Sequence, residues 1–171
     1  MAAAPPYDEP VRRKISFLAG VLLVAAGCGS DDAPETPVAC LEPASGYLEA
    51  LRAAPGEVRL AGTTPISGCL VEEQEAGQLA QVGQSVVGAA TKLNAEVRHT
   101  GDEAATVQLG YLIGAAQQGA AASGGTASGG IHTDLLRRLD SAARFSEGGK
   151  QLPASFERAF GEGYAAGQEG G

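Results

Sequence analysis

The chain has no tryptophan, one methionine and only 5% aromatic residues, although 44% of it is hydrophobic. Alanine therefore carries much of the apolar count and buries little area per residue, so the core has to be thin. With only two histidines, His99 and His132, a His-rich metal site is excluded. Positive charge is scarce as well, with 12 Lys+Arg against 20 Asp+Glu. The segment 1–27 holds three of the basic and two of the acidic residues, which leaves nine against 18 and a net charge of -9 on the remainder. A field of that sign repels phosphate backbones and anionic headgroups, which argues against nucleic acid as a partner and favours solubility.

The first 32 residues carry a more specific pattern. Arg12, Arg13 and Lys14 form a basic cluster, the apolar run Ile15 to Ala26 follows, and Gly27-Cys28-Gly29-Ser30-Asp31-Asp32 closes it. The run falls short of the roughly 20 apolar residues that span a bilayer, but it has the basic, apolar and small-residue order of an export signal. Val24-Ala25-Ala26-Gly27-Cys28 resembles the lipobox of bacterial lipoproteins, with Ala25 where leucine is usual. This resemblance covers Arg12 to about Asp32. It implies removal of residues 1–27 as a signal peptide and a diacylglyceryl thioether (a palmitate-type modification) on Cys28, which would anchor the chain to the extracytoplasmic face of the cell membrane. Two acyl chains suffice for stable anchoring, since each buried CH₂ contributes about 0.8 kcal/mol.

Two readings of this segment stay open. Arg12-Arg13 with Ile15 weakly resembles a twin-arginine signal, but no Ser or Thr precedes the pair and no apolar pair follows Lys14, so the general secretory route is favoured. Met1 to Pro10, with three prolines and two acids, is an odd prelude to a signal, whereas Val11 would make a normal start.

Residues 28–38 contain two prolines, Asp31, Asp32 and Glu35 without apolar periodicity, and read as a flexible tether ahead of a domain at 39–171. Pro43 to Arg52 is a short helix candidate stopped by Pro55-Gly56, and Val58 and Leu60 read as part of an extended linker. From Leu70 to about Arg98, the residues Leu79, Val82, Val86, Ala90, Leu93 and Val97 fall on one helical face. Gly101 supplies a stop, and Asp102 or Glu103 starts a helix with the stripe Ala105, Leu109, Leu112 and Ala116. Thr106, Gly110 and Gly114 mark a second face of that helix where another backbone can approach.

The run 119–130 reads as a flexible Gly/Ala/Ser linker. Ile131, Leu135, Leu139 and Ala142 form the stripe of the next helix, and Pro153 opens a last one. In this last helix Phe156, Phe160 and Tyr164 make an aromatic ridge expected to seat on the long helix. The fold expected is all-α, a small bundle of four main helices with a short N-terminal helix.

Cys40 and Cys69 are the thiols left beside Cys28, and an even pair in an exported domain reads as a disulfide. His132, just before a helix with Asp134, is the first residue to consider as a metal ligand. It offers too few partners for a three-ligand site and otherwise reads as an exposed or capping histidine. Gly83-Gln84-Ser85-Val86-Val87-Gly88 is superficially like a nucleophile elbow but lies inside a helical stretch with its second glycine one place late. The glycine run lacks the lysine of a phosphate loop. The pairs Asp31-Asp32, Glu72-Glu73 and Asp102-Glu103 suit spacers or helix starts better than acid–base chemistry.

No catalytic constellation, cofactor site or metal site is therefore expected. The function expected is a structural or protein-interaction role, with an unknown envelope protein as partner. The alternative is a small-ligand carrier or sensor with Phe156, Phe160 and Tyr164 as one wall of its site.

Overall fold

Local chemistry sets both ends of the longest helix and the start of the one after it. In the computed structural model, which describes residues 35–124, 130, 132–144 and 154–171, the long helix α2 (Ala76–Thr100) begins where the Glu75 side chain accepts a hydrogen bond from the Gly77 amide at 2.8 Å. It ends at Gly101, whose φ of +69° suits a residue without a side chain. Asp102 caps the next helix, α3 (Glu103–Ala122), by accepting from the Ala104 amide at 2.8 Å. The short helix α1 (Ala44–Ala50) precedes these two, and α4 (Thr133–Arg144) and α5 (Ala154–Gly170) follow. The described residues contain no strand, and the fold is a helical bundle with a short N-terminal helix. The expected export signal, Cys28, Ile131, Pro153 and residues 125–129 of the expected linker lie outside the described residues.

α3 is the axis of the bundle. It is buried on every side from Ala105 to Leu112 except at Gln108, and on through Ala116, which is the burial expected of a helix apolar all round. α2 lays Val82, Val86, Ala89, Ala90 and Leu93 against the core, and α4 contributes Leu135, Leu139 and Ala143. The stripe of α4 thus closes on Ala143, with Ala142 only half buried.

Four sequence expectations are corrected. The long helix starts at Ala76 and not near Leu70, because Glu73 takes a φ of +54° and Glu75 caps the helix. Val58 and Leu60 are not mere linker: both are fully buried, and Leu60 exchanges backbone hydrogen bonds with Thr64 around a turn at Ala61-Gly62. The stretch read as a linker from Gly119 is still helical to Ala122. Gly119 is buried there, and a methyl group on it would overlap the Ser67 carbonyl.

The fourth correction concerns α5, which packs on α3 and not on the long helix. Its buried stripe is Ala159, Gly163 and Gly167, laid against Val107, Gly110, Tyr111 and Gly114 of α3. A Cβ on Gly110 would overlap the Phe160 carbonyl, and one on Gly167 would overlap that of Tyr111. Glycine on both helices lets the backbones meet without side chains between them. The aromatic ridge is displaced to the flank of this contact, where Phe156, Phe160 and Tyr164 are half buried and stacked at centroid distances of 5.8 and 6.3 Å.

Candidate functional site

The densest polar cluster inside the domain lies where the N-terminal segment meets the bundle. Cys40 and Cys69 form a disulfide with a Cα–Cα distance of 5.3 Å, and both residues are buried. The Tyr47 hydroxyl, from α1, lies against it and donates to the Cys40 carbonyl at 2.8 Å. Burial, and next the charge of Glu42, push the Tyr47 hydroxyl well above its ordinary pKa.

Gln74, in the link before α2, extends the cluster. Its Nε2 donates to the Cys69 carbonyl and to Thr36 Oγ1, both at 2.9 Å. Thr36, within the stretch read as tether, is thus already packed on the domain. Its Oε1 lies 3.3 Å from Nε2 of His132, and His132 Nδ1 lies 3.1 Å from Ser123 Oγ. His132 is fully buried, not exposed, and burial lowers its pKa.

The Cys69 carbonyl determines where the protons sit. A carbonyl only accepts, so the Gln74 atom facing it is the amide nitrogen, and Gln74 Oε1 is left facing the ring. His132 Nε2 then carries the ring hydrogen and donates it. Nδ1 is the bare base and accepts from Ser123.

Serine, histidine and amide thus stand in the order of a nucleophile, its base and an orienting group. The surroundings suit a different task. The ring has no solvent exposure through which a substrate could be protonated. The backbone amides of Ser123 and Gly124 are bonded to the Gly119 and Ala121 carbonyls at the C-terminal end of α3, where the helix dipole disfavours a developing oxyanion. What this geometry does is join four chain segments through one neutral histidine.

No protein-family model matches this chain, and no curated protein or solved structure matches it significantly. The geometry alone therefore places the remaining candidates.

Ser85 is buried within α2 and donates to the Glu42 carbonyl at 2.7 Å, which fastens the N-terminal segment to the helix. Glu72 and Glu73 lie in a turn and Asp102 is a cap, while His99 is exposed near the C-terminal end of α2. No three His, Cys, Asp or Glu side chains converge as metal ligands among the described residues. The proposed ligand wall divides. Phe156 lines a cavity of about 340 Å³ with Val97, Arg98 and Glu103, whereas the Tyr164 hydroxyl is engaged by Gln117 and Gln168. A groove of about 540 Å³ runs between α2 and α4, lined by Leu79, Gly83, Val87 and Leu135 among others.

Sequence reasoning missed Thr36, Gln74 and Ser123. Gln74 sits among glutamates in a stretch read as helix, and Ser123 sits in a run read as linker, so neither carried a local signal of burial.

Proposed function

We propose that this chain is an exported lipoprotein held on the outer face of a membrane by lipid on Cys28, with a helical domain serving a structural or protein-interaction role in the cell envelope. The observation that carries the reading is the buried Cys40–Cys69 cross-link, which belongs to an oxidising compartment and stands in the same chain as the lipobox-like segment. The groove between α2 and α4, which joins Leu79 and Val87 to the charged Asp134 and Arg138, supports a partner-binding role for the domain.

Replacing Cys28 by Ser is expected to abolish incorporation of a palmitate analogue and to move the protein out of the membrane fraction. A Cys28→Ser protein that still labels and stays membrane-bound overturns the anchor. Crosslinking on intact cells followed by mass spectrometry reads the partner directly.

A second reading, a small ligand held against Phe156, rests on the 340 Å³ cavity, at the lower end of the size range of ligand sites. It requires a small molecule that co-purifies with the native protein and is lost on Phe156→Ala.

A further inference from the structure

We infer that Thr36, Gln74, His132 and Ser123 form an acid-released latch, which holds the N-terminal strap (residues 35–39) and the start of α4 to the bundle at neutral pH and lets them go as the medium acidifies. The inference rests on the fold alone and does not need the lipid anchor.

The latch is a single connected path. Thr36 reaches Gln74, Gln74 reaches His132, and His132 reaches Ser123, at 2.9, 3.3 and 3.1 Å. Thr36, Gln74 and His132 are all buried. A second proton on the ring can go only to Nδ1. Ser123 can accept it by turning its own hydrogen to the Ala120 carbonyl, 3.2 Å away, so hydrogen bonding does not oppose protonation. Burial of the resulting charge does, and burial is also what lowers the ring pKa.

Among the described residues, no charged side chain contacts the ring to offset that cost. Glu35 on the strap, Glu72, Glu73 and Glu75 on the link, and Asp134, Arg137 and Arg138 on α4 are all exposed, and none hydrogen-bonds the ring. The described end of α3, from Gln117 to Gly124, has no charged residue. Tyr47, beneath the disulfide, is neutral over this pH range.

The ring has no solvent exposure in the closed junction, and the strap is built to part. It lies upstream of the Cys40 cross-link, so it can leave without breaking a covalent bond. Its Val38 is 84% exposed, and the Gln74–Thr36 bond is the side-chain hydrogen bond that ties it down among the described residues.

The sign follows from linkage. In the open junction the ring has its ordinary pKa of about 6.5, and in the closed one a lower value, so the open state binds more protons as pH falls below 6.5. The opening constant rises by up to about tenfold per pH unit until the closed ring also protonates. Above 6.5 it is constant.

Hydrogen exchange on the full chain, corrected for intrinsic rates, tests this at pH 7.5 and 5.0. The reporters are the amides of Cys40, Thr133 and Leu136, which donate to Pro37, Gly130 and His132. They are expected to lose protection by up to about thirtyfold at pH 5.0, while the amides of α3 between Val107 and Ala116 keep theirs. In His132→Gln the step is expected to vanish. A step that persists in that variant, no step in the native chain, or an equal change throughout α3 overturns the latch. Where His132→Gln does not fold, NMR of the His132 ring in the native chain decides. A ring midpoint shared with the three amides upholds the latch, and a ring that titrates while they stay protected overturns it.

Discussion

Gly163 of α5 lies beneath the Val107 carbonyl of α3, so close that no side chain fits between the two helices. The contact extends along both helices through Gly110, Gly114 and Gly167. It compensates for the poverty in large side chains, because close backbone approach recovers dispersion contacts that alanine and glycine cannot make through side-chain area. The result is a bundle whose central helix is covered without tryptophan.

Replacing Gly163 by Ala is therefore expected to destabilise the domain by at least about 2 kcal/mol, since a methyl group would overlap backbone that cannot swing away. Gly161, two residues earlier on α5, is exposed and has nothing within 4 Å of its missing Cβ. Gly161→Ala is expected to stabilise by up to about 1 kcal/mol through helix propensity. Urea denaturation of the two variants checks both signs.

Two buried tyrosines should respond oppositely to loss of the hydroxyl. The Tyr47 hydroxyl donates to the Cys40 carbonyl at 2.8 Å, whereas that of Tyr111 lies near the Val58 backbone without a hydrogen bond of good geometry. Tyr47→Phe should cost about 1–2 kcal/mol, and Tyr111→Phe should be neutral or stabilising. Equal destabilisation by the two in thermal or urea melts would contradict this assignment.

The same tyrosines predict alkaline behaviour. Burial is the largest cause raising both above the ordinary tyrosine value, so the native state holds these protons after the unfolded state has lost them. Their contribution is complete below about pH 10 and is lost as pH rises through the native values. Stability plotted against pH should fall from about 10 upward, with a shallower slope in Tyr47→Phe.

Reducing the disulfide should lower stability by about 3.6 kcal/mol on the chain-entropy estimate for a sequence separation of 29 residues. Calorimetry with and without reductant reads the change. An unchanged melting temperature would mean that the hydrogen bonds from Gln74, Gln81 and Ser85 and the burial of Tyr47 and Leu51 hold the N-terminal segment without the cross-link.

Asn94 provides a test of how α4 is held. Its Nδ2 donates to the Ala142 carbonyl near the C-terminal end of α4. Asn94→Ala is expected to cost about 1–3 kcal/mol and to raise hydrogen exchange in α4 before α3. Simultaneous exchange in both helices would show that α4 does not open by itself.

The sequence by itself determined the helical class, the stripes of α2 and α3, the boundary at Gly101-Asp102 and the cysteine pair. Each of these is local: apolar spacing, a capping side chain, a glycine free to take positive φ, or the only two thiols apart from Cys28. It also marked Thr106, Gly110 and Gly114 as a face open to close approach. Only the tertiary structure decided what approaches it, because periodicity defines a face without naming its partner, and the glycines of α5 fit where its aromatic ridge would not. The same limit applies to Val58, Leu60 and the His132 junction. Gln74 is 38 residues from Thr36 and 58 from His132, and no pattern within a helical turn encodes a hydrogen bond over that distance.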